Sequence, residues 1–440
     1  MFFKKGGIKM AYLLENKVIF VHTPCIELND DRLEPPLGIL YLATILKKEG
    51  IRCQICDLSG ILEADWRKNM SKGDIYAFST YSVNYHKTLK IRNIAKEINP
   101  EAITIAGGPH VSALPDECSN DFDIIITGEA ESCFLETIKS ILRGERPKGI
   151  FQGEPVKDLD SLPFPDYDLI DFESYNRIVG GQRSMSLITS RGCPYNCKFC
   201  NSLIFSRGQL RFRSPENVVE EIVRLKNKYG ITAFRFSDDL FTFSPERIIK
   251  MAEALKPLGI VYRVFARSSS ITEEAANALY DSGCRHIAIG IESMSDKILK
   301  LLEKKATKEI NVRALRNARK AGLKTRIYIL VGFPGETEDT VNESLDVLKN
   351  SEFDEFVIYP FIPYPGTAVW MDPEFWGASI NRDFSKYIQI GSNEYGNRGT
   401  CYAVTTKDFS PDDVRRWRET MMDVLEKRKY CWAGMSRDNR

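Results

Sequence analysis

The residues of this sequence that are best suited to chemistry are three cysteines in one short segment. Cys193, Cys197 and Cys200 are spaced C-x3-C-x2-C, in a Gly-Cys-Pro setting that directly follows a short β-like stretch. Three thiolates from one loop can hold three irons of a 4Fe-4S cluster, and without a fourth nearby cysteine one iron stays open to an outside ligand. The spacing therefore predicts a cluster that takes part in chemistry. A zinc site with a distant fourth ligand, or three unrelated core cysteines, are the alternatives.

The elements that must position these cysteines alternate between strands and helices from residue 184 onward. The six candidate strands are Ser184–Thr189, Ala233–Ser237, Val261–Ala266, His286–Ile291, Lys324–Val331 and Glu355–Pro360. Six βα units predict a partial (β/α)6 barrel, in which residues at the carboxyl ends of the strands form the active site. The cysteine segment follows the first of these strands.

The first part of the chain predicts a separate parallel α/β sheet of the doubly wound, Rossmann-like type. Its five candidate strands are Lys17–Thr23, Arg52–Leu58, Asp74–Thr80, Ala102–Gly107 and Asp123–Thr127. Ligands of such sheets bind at the carboxyl ends of the strands, where small and polar residues gather here. The candidate ligand-binding residues are Ser79, Thr80, Gly107, Gly108, His110, Gly128 and Glu129. Alternatively, the glycines only close tight turns.

The length of 440 residues predicts two or three domains. We expect a Rossmann-like domain over 1–149, a proline- and aromatic-rich linker over 150–181, the barrel over 182–369 and a C-terminal region over 370–440. That last region ends in a predicted helix over Pro411–Arg428, with Ser410 as its cap and two aspartates in its first turn.

Composition describes an ordinary globular protein, with 43% hydrophobic and 28% charged residues. The net charge of +1 does not indicate a nucleic-acid or acidic-membrane partner. We find no apolar run of membrane-spanning length and no apolar core of a signal peptide near Met1. The 11 cysteines form no disulfide framework, which suits a reducing, cytoplasmic location.

The segment Ile188-Thr-Ser-Arg-Gly-Cys-Pro-Tyr-Asn-Cys-Lys-Phe-Cys-Asn201 resembles the signature of the radical S-adenosylmethionine (SAM) superfamily. Phe199 fits the aromatic position just before the last cysteine. The resemblance implies that SAM occupies the open iron and that its reductive cleavage yields a 5′-deoxyadenosyl radical. It also implies an external electron donor, such as a flavodoxin or ferredoxin.

Later segments extend this resemblance and imply further site residues at barrel strand ends. In the family, the position of Phe236-Ser-Asp-Asp-Leu-Phe241 borders SAM and substrate, so Asp238 and Asp239 are candidate catalytic residues, although they could instead cap a helix. Ala266-Arg-Ser268 and Gly290-Ile-Glu-Ser293 match SAM-contacting positions, and the Gly332–Glu336 turn resembles the adenine-side element. The implied residues are Arg267, Glu292, Ser293, Arg326, Gly332 and Gly335 around SAM, with Tyr328 as a further catalytic candidate.

The first domain resembles the cobalamin-binding domain that precedes many radical SAM barrels. Pro35–Ala43, Gly107–His110 and Gly128–Glu131 carry this resemblance. The D-x-H-x-x-G element that supplies a histidine to cobalt is absent, because no histidine of the chain has an aspartate two residues earlier. Cobalamin would then be held without a histidine ligand, as in several families of this kind.

We therefore expect a cobalamin-dependent radical SAM enzyme, a methyltransferase acting on a small-molecule or peptide substrate at an unactivated carbon or phosphorus. The alternative is a radical SAM enzyme that performs a rearrangement, dehydration or cyclisation and keeps a vestigial or structural cobalamin-binding domain. A methylthiotransferase would need a second cluster, and Cys25, Cys53, Cys56 and Cys118 form no convincing site for one. A zinc-binding module without enzyme activity leaves the barrel-end motifs unexplained.

Overall fold

The computed structural model describes residues 17–25, 31–388 and 400–428, together with the backbone of 431–432. The chain forms two compact units, one of residues 1–175 with 384–386 and one of residues 176–383 with 387–440. The stretch 150–181, which the sequence marks as a linker, is thus divided between them. No helix in these described ranges is long and apolar enough to cross a membrane.

The first unit is built on a parallel sheet of six strands in the order β2-β1-β3-β4-β5-β6. The strands are β1 (Val18–His22), β2 (Cys53–Asp57), β3 (Ile75–Ser79), β4 (Ile103–Gly107), β5 (Ile124–Thr127) and β6 (Gly149–Gln152). The helices are α1 (Leu37–Lys48), α2 (Trp66–Asn69), α3 (Tyr85–Ile98), α4 (Pro109–Ala113), α5 (Pro115–Cys118) and α6 (Glu131–Leu142). The predicted doubly wound fold is confirmed, with β6 as one strand more than the sequence indicates.

The second unit is built on a curled sheet in the order β18-β15-β14-β13-β12-β11-β8-β7. The strands of this unit are β7 (Ile178–Val179), β8 (Gln182–Leu187), β9 (Ser190–Arg191), β10 (Arg211–Phe212), β11 (Ala233–Phe236), β12 (Val261–Arg267), β13 (Cys284–Glu292), β14 (Lys324–Val331), β15 (Glu355–Pro360), β16 (Ala378–Ile380), β17 (Val404–Thr406) and β18 (Cys431–Trp432). Outside the curled sheet, β9 pairs with β10 and β16 pairs with β17. The six predicted strands pair in parallel from β8 to β15, which confirms the half-barrel.

Helices connect the strands of the second unit. They are α7 (Leu203–Ser206), α8 (Pro215–Tyr229), α9 (Pro245–Leu255), α10 (Glu273–Asp281), α11 (Asp296–Leu301), α12 (Lys308–Lys320), α13 (Glu338–Lys349), α14 (Ala368–Met371) and α15 (Pro411–Lys427). The last helix begins as predicted, because Ser410 and Asp413 form a capping box and Pro411 occupies the first turn. It packs on the barrel, where Arg418 Nε donates to the carbonyl oxygen of Ile358 at 2.9 Å.

Candidate active site

The cysteine loop leaves the carboxyl end of β8 through a turn that only glycine fits. Gly192 has a φ of +88°, and a Cβ atom there would stand 2.1 Å from the carbonyl oxygen of Gln209. Cys197 is buried, Cys193 is half-buried and Cys200 is exposed. Burial raises the pKa of the Cys193 thiol. Metal coordination would oppose that shift, because it favours the thiolate.

A second segment, residues 302–305, lies against this loop. The Lys198 amide donates to the carbonyl oxygen of Leu302 at 3.0 Å, and the Lys198 ammonium pairs with the Glu303 carboxylate at 3.0 Å. Glu303 and Lys305 both have left-handed backbones, with φ of +50° and +51°. Such conformations are uncommon outside glycine, and the surrounding structure must hold them. The segment is therefore shaped to meet the cysteine loop.

Arg267 reaches the cysteines from the end of β12. Its Nη1 lies 3.6 Å from Cys197 Sγ, and its guanidinium covers the Tyr195 ring at 3.8 Å from the centroid. Its Nη2 donates to the carbonyl oxygen of Lys304. The side chain is 8% exposed, yet its buried Nε has no hydrogen-bond partner in the described ranges. An orphaned donor beside the cysteines is suited to a carboxylate ligand.

Glu292 forms an ion pair next to the same loop. Its Oε1 lies 2.8 Å from the Lys304 ammonium, which also stands 5.4 Å from the centroid of the Phe199 ring. Glu292 adopts a φ of +59°, where the pairing register of β13 shifts. The structure thus brings Phe199, Arg267 and Glu292 together around the cysteines. Lys304 completes this group, and its place in a Glu-Lys-Lys run carried no sequence signal.

The two aspartates after β11 differ in their surroundings. Asp238 is buried and accepts hydrogen bonds from the Thr189 amide at 2.6 Å, the Thr189 hydroxyl, and the Ser190 hydroxyl at 2.9 Å. Burial raises the pKa of Asp238, although these hydrogen bonds oppose the shift. Asp239 is exposed and accepts from the Gly192 amide at 3.2 Å. Asp238 holds the start of the cysteine segment, whereas Asp239 lies at its surface, and a catalytic role for either stays a prediction.

Tyr328 and Arg326 lie on β14 away from the cysteine loop. The Tyr328 ring stacks on Phe265 and on Tyr359, with centroid distances of 6.2 and 5.9 Å. Arg326 Nε donates to a carboxylate oxygen of Glu355 at 2.6 Å. The structure groups both with the barrel interior, so their predicted roles in catalysis and SAM binding remain predictions.

The remaining predicted SAM residues make packing contacts. The Ser293 hydroxyl is buried, 3.1 Å from the Ser344 hydroxyl of α13. Cβ atoms at Gly332 and Gly335, whose φ values are +88° and +93°, would approach Val414 to 2.8 Å and Leu301 to 2.6 Å. Glu336 accepts from the Gly332 amide at 2.5 Å, and burial raises its pKa to about 7. Thr337 caps the following helix.

The predicted cobalamin residues gather at the carboxyl edge of β3, β4 and β5, next to the point where the strand order reverses between β1 and β3. The Thr80 hydroxyl donates to the Gly107 carbonyl oxygen at 2.8 Å. Gly108 has a φ of +102°, and a Cβ there would stand 2.8 Å from both the nitrogen and the oxygen of Thr80. Glycine at 108 therefore lets two strand ends approach closely.

The other members of this set are also engaged by the protein. The His110 ring packs at a tilt against the Tyr85 ring, with 4.0 Å between the centroids, and its Nδ1 lies 3.0 Å from the Ser82 hydroxyl. Burial lowers the pKa of His110 to about 4. The Gly128 amide donates to a serine hydroxyl at 3.0 Å, and the Glu129 carboxylate accepts from the Val156 amide at 2.9 Å. Ser79, at the end of β3, is half-buried.

The donor sets fit the two implied cofactors differently. Across the described residues, no group of three His, Cys, Asp or Glu side chains could hold one metal ion. A 4Fe-4S cluster does not need such a group, because each thiolate binds a different iron. The three thiols of one loop fit such a cluster, and the neighbouring Arg267 cation fits the carboxylate of SAM bound to it. Small strand-end residues at the switch point of the first sheet fit a large cofactor held without histidine.

Comparison with known proteins places the barrel and the first sheet in two families. Residues 187–348 match the radical SAM superfamily, and residues 31–138 match the B12 binding domain. An uncharacterized methyltransferase of Pyrococcus horikoshii is 31% identical over 81% of this chain and 82% of its own length. The radical SAM methyltransferase TsrM of Kitasatospora setae, solved with cobalamin and a [4Fe-4S] cluster, superposes with a TM-score of 0.71 at 16% identity, covering 96% of this chain and 92% of that one.

Two further relatives are named for different reactions. The cytidylyl-2-hydroxyethylphosphonate methyltransferase of Streptomyces wedmorensis is 25% identical over 77% of this chain and 79% of its own. The anaerobic magnesium-protoporphyrin IX monomethyl ester cyclase of Rubrivivax gelatinosus is 26% identical over 80% and 68%. Together the comparisons confirm the predicted family, fold and cofactor classes, and they favour the methyltransferase prediction over the alternative.

Proposed function

Because this chain belongs to the radical SAM superfamily and carries a B12 binding domain before its barrel, we propose that it transfers methyl groups with cobalamin and SAM. The cysteine loop at the carboxyl end of β8, with Arg267 3.6 Å from Cys197 Sγ, is the observation that carries this proposal. The methyl acceptor is an unactivated carbon or phosphorus atom of a small molecule or peptide.

The residues of the loop and its neighbours have distinct tasks in this proposal. Cys193, Cys197 and Cys200 hold the cluster, and the orphaned Nε of Arg267 donates to the carboxylate of SAM. Glu292, held by Lys304, accepts hydrogen bonds from the ribose hydroxyls. When bound, the cluster and cobalamin supply the electron that cleaves SAM and the carrier of the methyl group.

The products of this reaction can be counted. Replacement of one substrate C–H hydrogen by methyl consumes two SAM molecules. One loses its methyl group and leaves as S-adenosylhomocysteine, and the other takes one electron and leaves as methionine and 5′-deoxyadenosine, which carries the hydrogen removed from the substrate. The overall replacement takes up two electrons: one cleaves the second SAM, and one is needed because the first SAM gives its methyl group as a cation while hydrogen removal leaves the substrate as a radical. Both electrons come from an external donor of the flavodoxin or ferredoxin type. The ten described cysteines are free thiols, as a protein in the reducing cytoplasm would have.

The test is anaerobic reconstitution with iron, sulfide, SAM, hydroxocobalamin and a one-electron reductant, followed by chromatography. We expect cobalamin to remain bound through gel filtration, and S-adenosylhomocysteine and 5′-deoxyadenosine to form together. Alanine at Cys193 should abolish both the cluster absorbance and 5′-deoxyadenosine formation. Alanine at Cys133, a half-buried thiol of the first unit, is the matched control and should change neither. A Cys193→Ala enzyme with full SAM cleavage would refute the assignment.

The similarity to a magnesium-protoporphyrin IX monomethyl ester cyclase favours a second candidate, a radical reaction without methyl transfer. Such an enzyme would form 5′-deoxyadenosine, or regenerate SAM, without S-adenosylhomocysteine. The same chromatogram therefore separates the two candidates. Failure to retain cobalamin would favour the second.

A further inference from the structure

The interior of the half-barrel is lined on one side by arginine side chains. Residues of one strand alternate between its two faces, so Arg263, Phe265 and Arg267 of β12 point to the same side. Arg267 reaches the cysteine loop from the barrel mouth, which places Arg263 deeper on the same inner wall. Arg235 of β11 is the register partner of Arg263, so the two side chains extend from neighbouring strands on this wall.

Arg263 is a buried cation without a counter-ion. Its side chain is 4% exposed, and it forms no hydrogen bond or ion pair with any residue in the described ranges. Burial, together with the positive charges of Arg326, Arg235 and Arg177, lowers the pKa of Arg263 to about 10, although Tyr328 opposes the shift. An unpaired buried charge is costly, and nearby like charges add to that cost.

Glu355, the carboxylate that Arg326 contacts, already has several partners. Glu355 Oε2 accepts from Arg326 Nε at 2.6 Å and lies 3.4 Å from His286 Nε2, and Glu355 Oε1 forms an ion pair with the Lys324 ammonium at 2.6 Å. Although burial opposes it, the hydrogen bond with His286 and the charges of Arg326 and Lys324 hold the pKa of Glu355 well below its ordinary value. One carboxylate engaged by three cationic or hydrogen-bonding groups does not neutralise Arg263 as well.

Three aromatic side chains form an apolar wall beside Arg263 on the same inner face of the half-barrel. The rings of Phe265, Tyr328 and Tyr359 are stacked in a row with interplanar angles of 28° and 10°. The Arg235 guanidinium closes one end of the row at 4.9 Å from the Phe265 centroid. The barrel interior thus combines an apolar wall with a cationic end.

We propose that Arg263 binds an oxyanion, a carboxylate or a phosphate-type group, carried by the methyl acceptor, whose apolar body lies along Phe265, Tyr328 and Tyr359. This inference rests on the proposed function and adds the chemical class of its substrate. Arg267 is the fourth residue after Arg263 on β12, so their Cα atoms are roughly 13 Å apart at about 3.3 Å per residue. The acceptor is therefore elongated, with its oxyanion and its reacting atom at opposite ends.

The probes for this pocket are phenyl phosphate, phenylacetate and the neutral benzyl alcohol, titrated calorimetrically into the reconstituted protein at fixed ionic strength. We expect at least one anionic probe to bind about tenfold or more tightly than benzyl alcohol, because a buried guanidinium makes charge-assisted hydrogen bonds. The stronger of the two identifies the oxyanion. Arg263→Met should remove this preference, and Arg313→Met, at an exposed position of α12, should leave it unchanged.

Two further measurements keep the result interpretable. Methionine removes the uncompensated charge, so the Tm of Arg263→Met without probe should rise, whereas the anionic probe should raise only the wild-type Tm. Arg263→Lys keeps the charge and should lose only part of the affinity, and it carries the test if the methionine variant does not fold. Equal binding of anionic and neutral probes, or unchanged anion binding by both variants, would overturn the pocket. Formation of S-adenosylhomocysteine is measured separately, so either proposal can fail alone.

Discussion

Replacement of Asp238 by alanine tests whether this carboxylate positions the cysteine loop or takes part in the chemistry. The carboxylate oxygens of Asp238 accept from the Thr189 amide, the Thr189 hydroxyl and the Ser190 hydroxyl. Thr189 and Ser190 are almost fully buried. Arg247 Nη2 adds hydrogen bonds to the Thr189 oxygens at 3.0 and 3.1 Å. Thr189 and Ser190 begin the segment that leads to Cys193, so Asp238 fixes its starting point.

The cost of this substitution follows from the donors that it leaves unpaired. Each buried donor without a partner costs about 1–3 kcal/mol, and water entering the new cavity recovers part of that cost. We therefore expect Asp238→Ala to lower the free energy of unfolding of the second unit by roughly 3–5 kcal/mol. For a unit of this size, that corresponds to a fall in Tm of roughly 10 °C. Iron content after reconstitution should fall with it, because the loop loses its anchor.

The assay combines thermal unfolding, iron quantitation and 5′-deoxyadenosine formation on the same preparations. Asp239→Ala is the matched control, since this neighbour is exposed and its carboxylate accepts from the Gly192 amide at 3.2 Å. Loss of this hydrogen bond should cost less than about 1 kcal/mol. An Asp238→Ala protein with wild-type Tm and iron content but no SAM cleavage would refute the positioning role and support a catalytic one.

The contacts of Glu336, Gly108 and Glu292 predict the effects of three other substitutions. Because burial raises the pKa of Glu336 to about 7, the folded protein keeps a proton that the unfolded chain releases near pH 4.5. As the pH rises from 4.5 to 7, the free energy of unfolding of the wild type should therefore fall by roughly 3 kcal/mol more than that of Glu336→Gln. Urea denaturation at the two pH values measures this difference. Gly108→Ala should destabilise the first unit by at least about 2 kcal/mol and reduce cobalamin retention, whereas Gly144→Ala, with a φ of +90° but open space around it, should cost less. Glu292→Ala leaves the Lys304 charge buried and should weaken SAM binding at least about tenfold in calorimetry with iron content unchanged; lost iron with unchanged SAM affinity would contradict that role.

The strands and helices of both units could be predicted from local patterns. Apolar runs that end in small or polar residues identified β1 to β5 and the barrel strands. A parallel strand is buried on both faces, so its own residues are mostly apolar. The strand β6 was missed because three of its four residues are exposed and it is held by backbone pairing with β5. Pairing of that kind leaves no apolar pattern in the sequence.

Some features of the candidate site could likewise be predicted from the sequence, and others could not. The cysteine spacing and the glycine at 192 are local requirements of one loop, and the sequence determined them by itself. Only the tertiary structure decided that Lys304 pairs with Glu292, that Asp238 anchors Thr189, and that Arg263 is buried without a counter-ion. These relations join residues of different strands and loops, and they depend on strand order, register and the inward direction of each side chain. Those quantities arise when the sheet curls into a barrel, and no spacing along the chain contains them.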